Sequence, residues 1–149
     1  MTLELRPAEM SDLEFVKDCA VSAYELYVER IGKKPAPMVA DFKTQIKDNQ
    51  VEIIVCANDS VGYCVSFESA NSLFIENIAI LPMHQGKGLA SKVFEILENR
   101  ARSAGLQSLT LYTNEKMHEN LMFYPKLGFV ETQRKEEYGF RRVFFEKQI

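Results

Sequence analysis

Gln85-Gly86-Lys87-Gly88-Leu89-Ala90 is the segment of this chain best suited to chemistry done by the main chain itself. It lies where an apolar run, Leu73 to Leu81, gives way to an amphipathic helical pattern beginning near Leu89. Two glycines and an alanine at a strand-to-helix junction let a ligand come close to the backbone, because no bulky Cβ intervenes. The first N–H groups of the helix have no intrahelical partner, and the helix dipole adds partial positive charge there. The chemistry implied is capture of an anion, and a pyrophosphate suits it. A dinucleotide-binding fingerprint fits less well, since Ser91 stands where its third glycine belongs and a long α/α/β/β/β segment precedes the loop. A Walker loop fails because Gly86-Lys87 is followed by Gly88 instead of Ser or Thr.

Other reactive side chains are few. Cys19, Cys56 and Cys64 are odd in number and lack a CxxC spacing, so they read as reduced, partly buried thiols of a cytosolic protein. Cys64 lies in an apolar strand with no histidine near it in sequence, which argues against a covalent thioester route. His84 and His118 form no ligand pair with the cysteines, so no metal is expected, and both read as solvated. Glu76 is different. A carboxylate between Leu73-Phe74-Ile75 and Ile78-Ala79-Ile80 must face a polar pocket or a partner.

These residues must be positioned by a chain of 149 residues, one domain's worth, 46% hydrophobic and 26% charged, as folded proteins commonly are. A net charge of -3 gives no case for nucleic acid. Arg134, Lys135, Arg141, Arg142 and Lys147 read as a solvated strand-and-loop surface. With no apolar targeting segment and no run of membrane-spanning length, a soluble cytoplasmic protein is expected. Leu3 to Arg6 predicts a first strand closed by Pro7. Ser11 with Glu14 resembles a capping box that opens a helix running to about Ile31-Gly32, and a second helix is expected from Met38 towards Lys47. Strands are predicted over Val51 to Ala57, Val61 to Phe67 (after an Asn58-Asp59-Ser60 turn) and Leu73 to Leu81. A helix to about Gly105, a strand over Leu109 to Tyr112, a short helix over Glu119 to Lys126, and strands Phe129 to Thr132 and Arg142 to Glu146 complete the order β-α-α-β-β-β-α-β-α-β-β.

With these elements in place, the chain resembles the GNAT superfamily of acyl-CoA-dependent N-acetyltransferases. The family motif Gln/Arg-x-x-Gly-x-Gly/Ala is matched by Gln85-x-x-Gly88-x-Ala90, after the hydrophobic-x-Pro of Ile80-Leu81-Pro82. A second element, Tyr-x-x-x-Gly-Phe, is matched by Tyr124 to Phe129, with Pro125 departing from the polar residue usual there. The resemblance covers essentially the whole chain. It implies an α/β fold in a single domain (1–149), a mixed and mostly antiparallel sheet splayed at its centre and flanked by helices. It further implies acetyl-CoA as co-substrate, its pyrophosphate on Gln85, Gly86, Lys87, Gly88, Leu89, Ala90 and Ser91. The thioester and pantetheine would lie along Ile78, Ala79 and Ile80, with Asn120 reaching the same arm.

By the same resemblance Tyr124 is the general acid for the leaving thiolate, and Glu76 the base, acting directly or through water. From the helix pattern alone, Tyr124 is an inner-face aromatic of a short helix. Asn114 more simply caps that helix or ends the preceding strand. The acceptor, a primary amine of a small molecule, would meet Tyr24, Tyr27, Arg30 and Met38, with Tyr138 and Arg141 opposite. Tyr24 and Tyr27 also fit ordinary helix-face packing. Relatives commonly pair through their C-terminal strands, which implies a homodimer. Two further readings stay open: a non-catalytic acyl-CoA sensor, and an acetyltransferase acting on a protein lysine or N-terminus.

Overall fold

The computed structural model describes residues 2–149. Its strands are β1 (Leu3–Pro7), β2 (Val51–Cys56), β3 (Asp59–Ser69), β4 (Ser72–Ile80), β5 (Ser108–Asn114), β6 (Val130–Glu137) and β7 (Phe140–Gln148). Its helices are α1 (Leu13–Tyr24), α2 (Tyr27–Ile31), α3 (Phe42–Lys47), α4 (Leu89–Ser103) and α5 (His118–Lys126). The strands form a seven-stranded sheet in the order β1-β2-β3-β4-β5-β7-β6. β1 with β2, β2 with β3, β5 with β7 and β6 with β7 are antiparallel, while β4 and β5 are parallel. This is the mixed, mostly antiparallel sheet flanked by helices that the family resemblance implies. The β4–β5 ladder joins Ser72–Ile75 to Ser108–Leu111. No helix of the described residues is long and apolar enough to cross a membrane.

The chain groups into two compact units: the described residues up to Ser66 with Asn77–Glu95, and Phe67–Glu76 with Ile96–Ile149. In the first, α1 turns Val16, Cys19, Ala20 and Ala23 inward, the i, i+3, i+4, i+7 spacing of one helix face. They meet Phe42 and Ile46 of α3 and the strand residues Val51, Ile53, Val55, Tyr63, Val65 and Ala79. In the second, Leu97 and Ala101 of α4, Leu109 and Leu111 of β5, Phe129, and Val143 and Phe145 of β7 are buried. Each large apolar side chain so buried contributes about 1.5–3 kcal/mol.

Several boundaries differ from those read in the sequence. The capping box uses Glu9 and Asp12, not Ser11 and Glu14. Arg6 explains the shift, because its guanidinium forks onto both Asp12 oxygens at 2.9 Å and fixes that carboxylate at the helix entry. The first helix is not continuous to Ile31; it breaks between Tyr24 and Tyr27, and α2 closes on Gly32 in the left-handed region at φ 91°. Met38 lies in a 3-10 turn, Ala36–Val39, and α3 starts only at Phe42. There the Asp41 carboxylate takes the Thr44 N–H at 3.2 Å. The turn between β2 and β3 is Ala57-Asn58, and β3 runs from Asp59 to Ser69 instead of Val61 to Phe67. The last two strands, β6 and β7, are about twice as long as expected. Ala57-Asn58, Ala70-Asn71 and Tyr138-Gly139 are all two-residue turns with φ between 48° and 81° at both positions. That is the primed geometry which matches the twist of a hairpin.

One close approach in the first unit depends on a missing side chain. A Cβ on Gly62 of β3 would stand 2.2 Å from the Ala79 carbonyl oxygen of β4. The obstacle is backbone, which cannot turn aside. Gly62→Ala is therefore expected to lower unfolding free energy by about 3 kcal/mol, read as a shifted urea midpoint at unchanged slope.

Candidate functional site

In the first unit the site is built around the last residues of β4. Asn77 is 7% exposed in an apolar strand, where an unsatisfied amide would be costly. Both ends of that amide are engaged. Its Nδ2 donates to the Tyr63 hydroxyl of β3, and its Oδ1 lies 2.6 Å from the Tyr24 hydroxyl of α1. The Tyr24 hydroxyl also reaches the Ile78 carbonyl at 2.9 Å. Gln85 Nε2 donates to the Ile80 carbonyl at 2.9 Å, and Cys19 Sγ lies 3.8 Å from the Ala79 carbonyl. Three consecutive carbonyls of β4 are thus addressed by side chains. Residues two apart in a strand turn their main-chain groups to one edge, so Tyr24 and Gln85 line the edge of Ile78 and Ile80. Burial pushes the Cys19 thiol up to about 12, so it stays protonated and inert.

The glycine loop follows directly. Gly86 and Gly88 have φ of 78° and 77°, and a Cβ on either would meet nothing within 4 Å. Glycine is needed there for the left-handed conformation, not for packing, and the space beside it is open. Lys92 N–H closes the first turn of α4 onto the Gly88 carbonyl at 3.3 Å, so the N–H groups of Leu89, Ala90 and Ser91 precede the first intrahelical bond. Leu89 is buried and anchors the helix start, while Gln85, Gly86, Lys87 and Gly88 are exposed. This arrangement can hold a multiply charged anion through main-chain N–H groups and the helix dipole. On the helical side of the same unit, the Tyr24 and Tyr27 rings lie 6.3 Å apart and Arg30 sits 5.0 Å over the Tyr27 ring. Met38 is half-buried in its 3-10 turn.

The second unit carries the residues expected to move protons. Tyr124 of α5 is half-buried, its ring 5.9 Å from Phe129 and 5.6 Å from Phe145. Pro125 sits in the last turn of α5, where the Tyr124 carbonyl still accepts from Leu127 and Phe129 N–H at 3.0 and 3.1 Å. Asn120 Nδ2 donates to Thr113 Oγ1 at 3.1 Å, so it ties α5 to β5 and leaves Oδ1 as the atom a ligand N–H would seek. Asn114 ends β5 and takes the Lys116 N–H on Oδ1 at 2.9 Å, a turn ahead of α5, whose N-cap is Met117. Glu76 is half-buried on β4. Tyr138 is 88% exposed at the β6–β7 turn.

Sequence reasoning missed Asn77, Tyr63, Tyr112 and Arg142. The five basic residues taken as a solvated surface all pair with carboxylates: Arg134 with Glu131, Lys135 and Arg142 with Glu137, Arg141 with Glu115, and Lys147 with Glu98. The signal available for Asn77 was its place in the strand, an amide at an inward phase of an apolar run.

A family model described as acetyltransferase (GNAT) family matches residues 18–129. The chain belongs to this family. Membership indicates an acyltransferase. Among solved structures, an N-acetyltransferase from Thermoplasma acidophilum in complex with coenzyme A superposes with a TM-score of 0.80 at 16% identity, covering 100% of both chains. The ribosomal-protein-S18-alanine N-acetyltransferase from Escherichia coli gives 0.78 at 15%, over 99% of this chain and 94% of that one. A spermidine N-acetyltransferase chimera from Vibrio cholerae and human sequences gives 0.74 at 20%, over 99% and 96%. At these identities the likeness is one of fold. No match was found among curated protein sequences.

The Tyr24 hydroxyl emerges as a brace on β4. Tyr24→Phe should cost about 1–2 kcal/mol of stability, because buried Asn77 loses its donor. Chemical denaturation of wild type and variant measures it.

Proposed function

We propose that this chain transfers an acetyl group from acetyl-CoA directly to a primary amine of a small molecule. The observation that carries the reading is the loop Gln85 to Ala90. Two glycines in left-handed conformation face open space immediately before a long helix whose first N–H groups lack intrahelical partners. Coenzyme A ends in a nucleotide pyrophosphate, which is the anion such a loop would hold. That the Thermoplasma acidophilum structure contains coenzyme A supports the choice of cofactor. In this reading Gln85, Gly86, Lys87, Gly88, Leu89, Ala90 and Ser91 hold the pyrophosphate. Gln85 acts indirectly, bracing the loop on the Ile80 carbonyl. Ile78, Ala79 and Ile80 offer main-chain groups to the pantetheine and to the thioester oxygen as it gains charge.

An alkylammonium ion must lose its proton before it can attack, and the departing thiolate must gain one. Glu76 would accept the first proton, directly or through water. Tyr124 would supply the second. The ring contacts with Phe129 and Phe145 fix the Tyr124 side chain, which suits an acid that must meet one sulfur atom. Pro125 follows it without opening the turn, since the Tyr124 carbonyl keeps its two donors.

Calorimetric titration with acetyl-CoA tests the cofactor site. Gly88→Trp, which places a bulky side chain in the open space and forces it into a left-handed backbone, should abolish binding in a folded protein. Wild-type protein that takes up no acetyl-CoA would refute the proposal. Tyr124→Phe should reduce kcat about 10²- to 10⁴-fold while leaving acetyl-CoA affinity near wild type. Turnover unchanged across the pH range would remove Tyr124 from the acid role. A screen of small amines and N-terminal peptides for CoA release then separates small-molecule from protein acceptors.

A further inference from the structure

Arg142 of β7 is 9% exposed, yet the only hydrogen bond that the described residues offer its guanidinium is Nη1 to Glu137 Oε1 at 3.3 Å. Aromatic rings stand around the group. The guanidinium carbon lies 4.2 Å from the Tyr112 ring centre, 5.5 Å from that of Tyr138 and 5.9 Å from that of Phe140. The three rings flank the cation, and their faces offer it no lone pair for a hydrogen bond. Cation–π attraction of about 1–2 kcal/mol offsets part of its desolvation. Among the described residues, no Arg142 nitrogen is a buried side-chain atom left without a partner, so the N–H groups not bonded to Glu137 are open to water and to an incoming acceptor. Glu137 supplies only one contact and is shared with Lys135 at 3.5 Å. The acceptor that a guanidinium fork fits is a planar carboxylate, bound through two parallel N–H bonds.

The same face of the second unit holds a carboxylate at a distance. Tyr112 stacks on Phe74 of β4 at 5.8 Å, and Glu76, two residues after Phe74, shares its face. Burial raises the Tyr112 pKa; Arg142 lowers it, and Glu76 and Glu137 raise it, so all three charges act on one phenol. Glu76 stands one residue past the Ile75–Leu111 end of the β4–β5 ladder, and Arg142 lies opposite Asn114 on β7, with β5 between them. With two carboxylates already on this face, a monoanion is accommodated more readily than a phosphate dianion.

We propose that Arg142 binds the carboxylate of the acceptor, which is a primary amine bearing a carboxylate, its ammonium directed to Glu76 and its carboxylate to Arg142 beside Tyr112. This rests on the acetyltransferase reading above and adds the substrate class. The test uses α-, β- and ω-amino acids, each paired with its own carboxamide, as acceptors for the full chain with acetyl-CoA. For the best acceptor, wild type is expected to favour the acid over the amide about 10- to 100-fold in kcat/KM. Arg142→Gln should erase that preference with acetyl-CoA affinity unchanged. Glu137→Gln should move the other way, lowering KM for the acid several-fold, because the guanidinium loses a competing partner. A purely structural arginine would not produce opposite effects from its own loss and its partner's.

If Arg142→Gln fails to fold, Arg142→Lys keeps the charge without the fork and should retain only a weak preference for the acid. Amides used as well as acids by wild type, or a preference that survives in Arg142→Gln, would overturn the proposal. If wild type binds no acetyl-CoA, the transferase reading has failed separately. The subsite is then judged by calorimetry with the acids alone: binding lost in Arg142→Gln supports it, and no binding of any acid overturns it.

Discussion

A single buried amide sets the end of β4. Asn77 cannot sit among apolar neighbours unless both halves of its side chain are satisfied, and the two tyrosines that satisfy it come from different elements, α1 and β3. The bond to Tyr24 brings that hydroxyl onto the Ile78 carbonyl, and the fixed strand end gives Gln85 the Ile80 carbonyl to hold. One polar residue therefore connects the helical wall, the sheet and the start of the glycine loop. Apolar packing alone is tolerant of small slides. Hydrogen bonds of this kind are not, and they define where the backbone groups of Ile78 and Ile80 lie.

The loop itself is shaped by conformation and not by neighbours. Gly86 and Gly88 touch nothing that a Cβ would strike, whereas Gly62 is pressed against the Ala79 carbonyl. The two kinds of glycine do different work. Gly62 lets β3 and β4 approach, which buries the strand on which the site rests. Gly86 and Gly88 keep the main chain in a left-handed turn ahead of α4, so that its orphan N–H groups are oriented before any anion arrives.

The fold was largely legible in the sequence because apolar periodicity and the glycine loop are local signals, and every strand and the two longer helices follow from them. What was not legible depended on distant partners. Asp12 completes the capping box with Glu9, held by Arg6 across six positions, which outweighed the local pattern of Ser11 and Glu14. β6 carries almost no apolar residue, so alternation could not reveal its length; its ladder with β7 does. In the candidate site, the loop and the tyrosine helix were readable as motifs. The brace by Asn77 and the ring cage around Arg142 were not, since a polar residue in a strand shows its partner only after the sheet has formed. The charges near the C-terminus are, as read, a largely solvated surface, on which each cation is paired with a carboxylate and Arg142 alone is buried.

The three primed turns bear on how such a protein can change. In the hairpins closed by Ala57-Asn58 and Tyr138-Gly139, the strands are in register at the turn, Cys56 opposite Asp59 and Glu137 opposite Phe140, and each ladder takes one shift further along. Adding one residue would displace the pairing by a step and exchange inward for outward side chains along a strand. Beside Tyr138, that exchange would carry Arg142 to the opposite surface of the sheet. A side-chain replacement at a fixed position leaves that placement intact, whereas a change in turn length does not.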